Sequence, residues 1–361
     1  MSQDIKVGVV GFGLAGKVFH APFVSAVPGL RLASIVERRG DAAAKAYPGV
    51  FIARSFDEML EDPGIRLVVI GTPNETHFDL AGQALRAGRN VVIDKPFAAS
   101  SAQARELIDL AKAKGLILAP FHNRRWDGDF LTVRKLLDQN TLGRLVSFES
   151  HFDRFRPIVR EGTWKEAANA ANGLLFDLGP HLVDQAVALF GTPQTVTASV
   201  RKDRDHTGIE DAFDLRLDYP RLTVWCRSTM VAADPAPRFL LHGTLGSFRK
   251  DGVDPQEPAI VAGAKIPVLG EGDWLAEDRD HWGSLTLAPD PAEPTQLTHT
   301  TVPTERGDYR LFYANVRDAL NATAELAVSA EAGLLVIQIL ELARESSRLG
   351  RSMAAEPLSS F

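Results

Sequence analysis

The sequence predicts two domains of different class: a doubly wound parallel α/β domain over residues 1–121, and an α+β domain with a large, mostly antiparallel sheet over residues 122–361. Three observations support this. Up to about residue 120, short apolar runs alternate with helical patterns, as expected for strands covered by helices. Beyond that point, strand-like segments alternate apolar and polar side chains, and short polar turns separate several of them, which favours antiparallel pairing. The length of 361 residues also suits two domains.

The first domain is predicted to contain parallel strands that are apolar on both faces and rich in Val, Ile and Leu. The predicted strands lie at 5–10, 30–36, 67–71, 90–93 and 116–119, with helical patterns at 41–47, 57–60, 75–87 and 102–114. This alternation is typical of βαβ units in a doubly wound sheet. Pro22 is expected to break the first helix near residues 19–21.

The second domain is predicted to begin with a long strand over 145–155, in which Phe148, Ser150 and Phe152 alternate with polar neighbours. Period-two alternation with one partly polar face indicates a strand that covers a core on one side. Further strands are predicted at 195–202, 211–219, 222–231 and 238–242, and helices at 129–139, 309–319 and 330–347. The stretch 251–305 is rich in Pro, Gly, Asp and Thr and is predicted to be irregular.

Composition and charge exclude several classes of function. Lys and Arg number 40 against 46 Asp and Glu, a formal net charge of −6 without a basic run, so nucleic acid is not an expected partner. No stretch approaches the roughly 18 apolar residues of a membrane span, and we expect a cytoplasmic protein without membrane contact. The single cysteine, Cys226, is expected to be a buried, reduced thiol. No group of His, Cys, Asp and Glu has metal-ligand spacing, so no metal site is predicted.

A glycine-rich turn follows the first predicted strand and precedes a helical pattern. Its sequence is Gly11-Phe12-Gly13-Leu14-Ala15-Gly16. In a GxGxxG turn at this position, Gly11 permits the tight bend, Gly13 lets the backbone approach a pyrophosphate, and Gly16 lets the helix pack on the strand. The helix that follows supplies free N–H groups and the positive end of its dipole. The sequence therefore predicts a Rossmann domain that binds a dinucleotide, with Phe12 and Leu14 in the binding turn.

The residues after the second predicted strand bear on the choice between NAD and NADP. Glu37 lies 21 residues beyond Gly16, about where an acidic side chain accepts hydrogen bonds from the adenosine ribose. Its carboxylate would repel a 2′-phosphate and favour NAD, whereas Arg38 or Arg39 could bind that phosphate and favour NADP. We expect NAD to be preferred and NADP to be usable.

A second turn is predicted at the same edge of the sheet, after the strand at 67–71. It reads Gly-Thr-Pro-Asn-Glu-Thr-His over residues 71–77. Open α/β sheets bind ligands outside the carboxyl ends of their strands. Candidate cofactor contacts in this turn are Thr72, Pro73, Asn74 and His77.

A third turn, Asp94-Lys95-Pro96, follows the strand predicted at 90–93. A lysine held there beside a nicotinamide can stabilise an alkoxide or shift the proton equilibrium of an alcohol. The alternative is an ordinary surface lysine in a loop. Pro96 is a candidate for a cis peptide bond.

Together these motifs resemble the Gfo/Idh/MocA oxidoreductase family. The matching elements are the turns at 11–16 and 71–77 and the Asp-Lys-Pro turn, where the family usually has Glu-Lys-Pro and Asp94 keeps the carboxylate. The segments His-Asn-Arg-Arg-Trp-Asp at 122–127 and Phe-Asp-Arg-Phe-Arg-Pro at 152–157 are similar to the branch that contains NADP-type scyllo-inositol dehydrogenases and uncharacterised relatives. The resemblance extends over almost the whole chain.

The family's second signature, Asp-x-x-x-His, is present as Asp177 and His181. On a helix, a spacing of four places both side chains on one face, and a histidine beside a carboxylate can move a proton near neutral pH. From the residues alone, His181 is either catalytic or structural. The resemblance implies that it is catalytic with Asp177 orienting it, that Lys95 is catalytic too, and that Asp94 and Lys95 contact the cofactor.

The resemblance also implies an NAD(P)-dependent oxidoreductase that transfers hydride between nicotinamide and a secondary alcohol of a sugar or an inositol-like cyclitol. Arg124, Trp126 and Arg156 are candidates for the substrate pocket together with His181, because such side chains bond to hydroxyls or stack on ring C–H groups. A structural role is equally open for each of the first three. The family implies dimers or tetramers formed by sheet-to-sheet packing.

Two alternatives stand beside this interpretation. A non-catalytic, nucleotide-binding sensor of the same fold would keep the glycine turn but could lose Lys95 or His181, and both are present. An enzyme that uses a tightly held nicotinamide to interconvert two sugars is left open by the sequence.

Overall fold

The chain folds into two compact units that are interleaved along the sequence. The computed structural model describes residues 4–160, 162, 166, 172–272, 274–288, 290, 292–293 and 295–355. Unit 1 comprises Met1–Trp126, Gln256–Trp274 and Asp308–Leu334, and unit 2 comprises Asp127–Pro255, Leu275–Gly307 and Leu335–Phe361. The sequence predicts one boundary, after residue 121. In the structure, two segments of the second half also belong to unit 1, where Tyr313 is fully buried.

The strands and helices have the following bounds. The strands are β1 (Ile5–Val10), β2 (Leu30–Val36), β3 (Phe51–Ala53), β4 (Ile65–Ile70), β5 (Asn90–Ile93), β6 (Leu118–Pro120), β7 (Leu145–His151), β8 (Thr195–Arg201), β9 (Ala212–Tyr219), β10 (Leu222–Thr229), β11 (Phe239–Gly243), β12 (Gly246–Lys250), β13 (Gly283–Leu287), β14 (Thr298–Val302) and β15 (Met353–Ala354). The helices are α1 (Ala21–Ala26), α2 (Ala42–Ala46), α3 (Phe56–Leu60), α4 (His77–Arg86), α5 (Ser101–Lys114), α6 (Gly128–Asp138), α7 (Leu174–Asp177), α8 (Gly179–Phe190), α9 (Gln256–Val261), α10 (Arg310–Leu320) and α11 (Ala330–Leu349). No helix in the described ranges combines the length and apolar content needed to span a bilayer.

Unit 1 contains a six-stranded sheet in the order β3-β2-β1-β4-β5-β6. Every pair of neighbouring strands in it is parallel. The central strands are buried on both faces, since Val7, Val9, Val68 and Val69 are all inaccessible to solvent. This confirms the predicted doubly wound sheet, whose strand order reverses between β1 and β4. The short strand β3 escaped prediction because three residues are too few to show a periodicity.

The first helical segment changes at the place where a break is predicted, near residues 19–21: one segment ends at His20, and α1 begins at Ala21. From Gly16 to His20 the turns are wider than in an α-helix, and the Ala21 N–H donates to the carbonyl of Gly16, five residues back. Pro22 then lies in the first turn of α1, a position where a proline needs no partner for its missing N–H.

Unit 2 contains a nine-stranded sheet in the order β14-β13-β12-β11-β7-β10-β9-β8-β15. Only β7 and β10 pair in parallel, and the other neighbours are antiparallel. The predicted mostly antiparallel sheet is therefore confirmed. The long strand expected over 145–155 ends at His151, although Phe152 and Arg154 still donate backbone hydrogen bonds to residues of β10.

The prediction that 251–305 is irregular is wrong for part of its length. Residues 273, 289, 291 and 294 lie outside the described ranges, but β13 and β14 form an antiparallel pair that extends the sheet beyond β12. The strand β14 is mostly exposed at the sheet edge. An exposed edge strand needs no alternation of apolar and polar residues. The polar, threonine-rich sequence of β14 therefore shows no pattern from which a strand could be predicted.

The core of unit 2 lies between the sheet and the helices that cover one of its faces. Phe148 and Phe213 on the sheet pack in one cluster with Leu182 and Val183 on α8. Cys226 belongs to the same cluster and is fully buried, as predicted. Burial raises the pKa of its thiol to about 12, so the thiol stays protonated and behaves as a small apolar side chain.

Candidate cofactor and catalytic residues

Backbone hydrogen bonds gather three loops of unit 1 at the carboxyl edge of the parallel sheet. The N–H of Gly11, in the loop after β1, donates to the carbonyl of Val36 at 3.2 Å. The loop after β4 donates from Gly71 to the last residue of β1 at 3.0 Å, and the loop after β5 donates from Asp94 to the last residue of β4 at 2.9 Å. The glycine turn, the 71–77 turn and the Asp-Lys-Pro turn therefore start side by side.

The three glycines of the first turn meet different surroundings. Gly11 has a φ of +96°, and a Cβ there would lie 2.9 Å from the Gly71 carbonyl oxygen. A Cβ on Gly16 would lie 2.1 Å from the Gly11 carbonyl oxygen, so helix and strand approach too closely for a side chain. A Cβ on Gly13 would meet nothing within 4 Å. The turn thus packs tightly behind Gly13 and leaves open space in front of it, which fits a bound pyrophosphate.

The remaining predicted residues of this turn are accessible. Leu14 is 60% exposed. Phe12 is partly exposed and packs edge-on against Tyr47, with ring centroids 6.1 Å apart. The Nζ of Lys17 lies 5.5 Å from the centre of the Phe12 ring. The turn therefore exposes apolar surface of Phe12 and Leu14.

Glu37 is the first residue after β2, and its carboxylate is held in place. Its two oxygens accept hydrogen bonds from the backbone N–H groups of Ala42 and Ala43 at 3.2 and 3.1 Å. The carbonyl of Glu37 accepts from the guanidinium of Arg54 at 2.9 Å. Arg38 beside it is exposed. Rotation of the Glu37 side chain would break two hydrogen bonds from backbone N–H groups to a charged acceptor, so the carboxylate stays at the start of α2.

The turn at 71–77 is held by its own side chains. The Oγ1 atoms of Thr72 and Thr76 lie 2.7 Å apart, and Thr76 Oγ1 donates to the carbonyl of Pro73 at 2.7 Å. Asn74 is half-buried. His77 is fully buried at the start of α4, with both ring nitrogens 2.9 Å from backbone carbonyl oxygens, one of Pro96 and one of Thr72.

Lys95 lies half-buried in the turn after β5, and the bond between it and Pro96 is cis. The Lys95 N–H donates to Asp94 Oδ1 at 2.8 Å. Burial opposes the charge on Asp94, but the interaction with His20 and the charges of Lys95 and His77 outweigh it and lower the pKa of Asp94. The turn therefore contains a carboxylate that stays ionised beside the lysine.

His20 joins the Asp94 turn to helix α10. Its Nε2 lies 3.9 Å from Asp94 Oδ2, an ion-pair distance rather than a hydrogen bond. Its Nδ1 lies 2.8 Å from the hydroxyl of Tyr313, and both side chains are fully buried. Burial and the nearby charge of Asp94 raise the pKa of Tyr313 far above its usual value, so this phenol remains a neutral hydrogen-bonding group.

In unit 2, Asp177 and His181 lie on two helices rather than one. Asp177 ends α7 and His181 lies in the first turn of α8, separated by a break at Leu178. Pro180, in the first turn of α8, has no N–H to continue the helical hydrogen bonds. Leu178 between the two helices keeps a right-handed helical backbone, with φ −109° and ψ −27°. His181 is buried at the positive end of the α8 dipole, which disfavours a charged ring and suits a proton acceptor.

Asp177 is paired with an arginine that the sequence analysis did not single out. Arg154 Nη1 donates to Asp177 Oδ2 at 3.2 Å. Arg154 follows Phe148, Ser150 and Phe152 in the alternation along β7, and those three side chains are buried. The parity of the strand is therefore the signal that could have identified Arg154.

The helix that bears His181 is anchored to the sheet by a buried cation. Arg238 donates to Gln185 Oε1 on α8 at 2.7 Å and to Ser150 Oγ on β7 at 2.6 Å. Its Nε lies 3.3 Å from Asp129 Oδ2, and both side chains are 1% exposed. Because Gln185 lies one turn beyond His181, this network fixes the start of α8.

The three predicted substrate-pocket residues differ in their surroundings. Arg124 is 5% exposed and pairs with Glu257, with its Nη1 3.4 Å from the Tyr309 hydroxyl. Trp126 is half-buried, with its ring edge-on to a phenylalanine of α10. Arg156 is exposed, and its backbone N–H donates to the carbonyl of Met230, directly after β10, at 2.7 Å. Among the described residues, no group of His, Cys, Asp and Glu is arranged to hold a metal ion.

Comparison with known proteins agrees with this geometry. Residues 5–122 match the model of an oxidoreductase family's NAD-binding Rossmann fold, and residues 134–355 match its C-terminal alpha/beta domain. The chain is 43% identical to the uncharacterised oxidoreductase YdgJ of Escherichia coli, over 96% of this chain and 98% of that one. It is 35% identical to the scyllo-inositol 2-dehydrogenase (NADP⁺) IolW of Bacillus subtilis, over 98% and 97%. A solved oxidoreductase structure from Yersinia pestis, YPO2259, superposes with a TM-score of 0.92 at 40% identity and covers 99% of both chains.

Proposed function

Since the chain belongs to the Gfo/Idh/MocA oxidoreductase family and is an NAD(P)-dependent dehydrogenase or reductase, we propose that it acts on a secondary alcohol of a sugar or an inositol-like cyclitol. The observation that supports a nicotinamide enzyme most directly is the carboxyl edge of the unit 1 sheet. There the open space in front of Gly13, after β1, and the turn that bears Lys95, after β5, lie on either side of the end of β4.

A bound nicotinamide would accept or supply the hydride, and the protein has to hold the cofactor and manage the proton. The backbone around Gly13 would face the pyrophosphate. Glu37, fixed by the amides of Ala42 and Ala43, would accept hydrogen bonds from the adenosine ribose. We propose NAD as the preferred cofactor, because a fixed carboxylate opposes a 2′-phosphate, while the exposed Arg38 supports some use of NADP.

His181 is proposed to take the hydroxyl proton when the alcohol is oxidised and to return it in the reverse direction. Its position at the start of α8 favours the neutral ring that such a base requires. Asp177, held by Arg154 at 3.2 Å, is proposed to orient His181. The ammonium group of Lys95 is proposed to stabilise the negative charge that develops on the substrate oxygen.

The proposed substrate class draws on the scyllo-inositol dehydrogenase relative and on the predicted substrate-pocket residues. Trp126 and Arg156 are accessible enough to contact a polyol. Arg124 is buried against Glu257, which favours its structural role over direct substrate binding.

A kinetic panel tests the proposal. Purified protein is assayed with inositol isomers and aldoses, with NAD and NADP separately, and cofactor reduction is followed by the nicotinamide absorbance. Reduction that depends on a polyol supports the proposal, and the best substrate defines the stereochemistry. Tight cofactor binding without turnover on any polyol or aldose would contradict it and favour a nucleotide-binding sensor.

We also propose that the protein is a homodimer or homotetramer that associates through the outer face of the nine-stranded sheet. Trp225 lies on that face with the guanidinium groups of Arg227 and Arg216 4.4 and 5.9 Å from its ring. A partly apolar sheet face of this kind is stabilised by a covering layer. Light scattering at micromolar concentration tests this, and a monomer would contradict it.

A further inference from the structure

The ring of His77 connects two of the three turns at the carboxyl edge of unit 1. It is fully buried at the start of α4. Its Nδ1 lies 2.9 Å from the carbonyl oxygen of Pro96, directly after Lys95, and its Nε2 lies 2.9 Å from the carbonyl oxygen of Thr72. Carbonyl oxygens only accept hydrogen bonds, and a neutral imidazole has one N–H and one lone pair. A neutral ring would therefore place a nitrogen lone pair against a carbonyl oxygen at hydrogen-bond distance.

We propose that His77 is a positioning residue that carries a proton on each nitrogen and clamps the Thr72 turn to the turn that bears Lys95. Its role for Lys95 rests on the proposed function, whereas its double protonation rests on geometry alone. The clamp fixes the peptide between Pro96 and Phe97, one residue beyond Lys95, and so restrains the turn from which the lysine side chain extends. Preorganisation of this kind matters because small displacements of a reacting group lower turnover steeply.

His77 begins α4, whose dipole opposes a positive charge at that end, so the other groups around the ring have to outweigh this effect. Two hydrogen bonds to carbonyl oxygens are charge-assisted when the ring is an imidazolium, and they offset part of the cost of burial. Asp94 is a counter-charge that interacts electrostatically with His77, Lys95 and His20. Asp79, on the same helix as His77, is exposed. The partly buried carboxylate of Asp94 thus interacts with three groups that are or can be positive.

The protonation state can be measured without cofactor or substrate. The protein is labelled with ¹⁵N-histidine, and the ring signals of His77 are assigned by their loss in His77→Gln. We expect both ring nitrogens to show the shifts and attached protons of an imidazolium at neutral pH. A signal from one unprotonated, pyridine-type nitrogen would overturn the clamp, whatever the enzyme's substrate proves to be.

Kinetics then test whether the clamp positions Lys95. In His77→Gln the carbonyls of Thr72 and Pro96 lose the two ring N–H donors, which point in opposite directions. We expect kcat to fall about tenfold to a hundredfold. The dissociation constant of the nicotinamide cofactor, from fluorescence titration, should change less than about threefold. Asp79→Asn, an exposed change on the same helix, is the matched control and should leave both quantities unchanged.

The outcomes separate this inference from the proposed function. An unchanged kcat in His77→Gln together with an imidazolium signal would show that the ring is a structural cation and overturn its positioning role. A fully active Lys95→Ala would refute the proposed role of Lys95 and leave the protonation measurement standing. If His77→Gln does not fold, assignment of the wild-type signals through bonds still decides the protonation state.

Discussion

Arg238 offers the sharpest test of how unit 2 holds its catalytic candidate. Arg238→Met removes the guanidinium but keeps an apolar chain of similar length between Phe152 and Phe239, whose rings lie 5.6 and 4.1 Å from the guanidinium carbon. The change breaks the hydrogen bond to Gln185 on α8 and leaves Asp129 buried without its cationic partner at 3.3 Å.

The expected loss of stability follows from that burial. Removing one member of a buried ion pair costs about 3–5 kcal/mol, because the remaining charge is left uncompensated in a medium of low polarity. Stacking on two aromatic rings adds up to about 1 kcal/mol. Because the Gln185 contact lies one turn beyond His181, kcat should fall together with the stability of unit 2.

Urea unfolding followed by far-UV circular dichroism measures the free energy of unfolding. Arg249→Met is the matched control, since Arg249 lies on the same sheet, is 53% exposed and pairs with the exposed Asp251 at 3.0 Å; it should cost less than about 1 kcal/mol. Adding Asp129→Asn to Arg238→Met removes the stranded charge and should recover part of the loss. A cost below about 1 kcal/mol for Arg238→Met, or strictly additive effects in the double variant, would refute the reasoning.

Three further predictions follow from the sites. Lys95→Ala or His181→Ala should lower turnover by about a hundredfold or more with little change in cofactor affinity; near-normal turnover in steady-state assays would refute the assigned roles. Glu37→Ser should shift the kcat/KM ratio toward NADP by about tenfold, or about 1.4 kcal/mol, and a wild type that already prefers NADP by that factor would show that the arginines control selectivity. Asp94→Asn should destabilise the protein at neutral pH. The pKa of Asp94 is lowered in the folded state. Its ionised carboxylate therefore stabilises the fold above the pKa of the unfolded state, and this stabilisation is lost as the pH falls through the pKa of the folded state. The wild type and Asp94→Asn should converge in acid unfolding curves, and a difference that persists there would contradict the ion-pair origin.

The features that could be predicted from the amino-acid sequence depend on near neighbours along the chain. The glycine turn at 11–16 could be identified because a strand, a tight bend and a helix start each have local requirements. The central strands of unit 1 were predicted because burial on both faces demands continuous apolar residues. The Asp-Lys-Pro turn was found through its place after such a strand, and the family resemblance added roles for Lys95 and His181.

Contacts between residues that are distant in the sequence could not be predicted in this way. Nothing in the spacing of His77, Thr72 and Pro96 shows that one ring faces two carbonyls, because that contact depends on the adjacency of β4 and β5. The pairing of Arg154 with Asp177 likewise depends on how α7 packs near the end of β7. Apolar periodicity and turn chemistry act over a few residues, so they can be recognised in the sequence. Ion pairs and buried hydrogen bonds join residues that become neighbours only when strands and helices pack, so the sequence alone does not predict them.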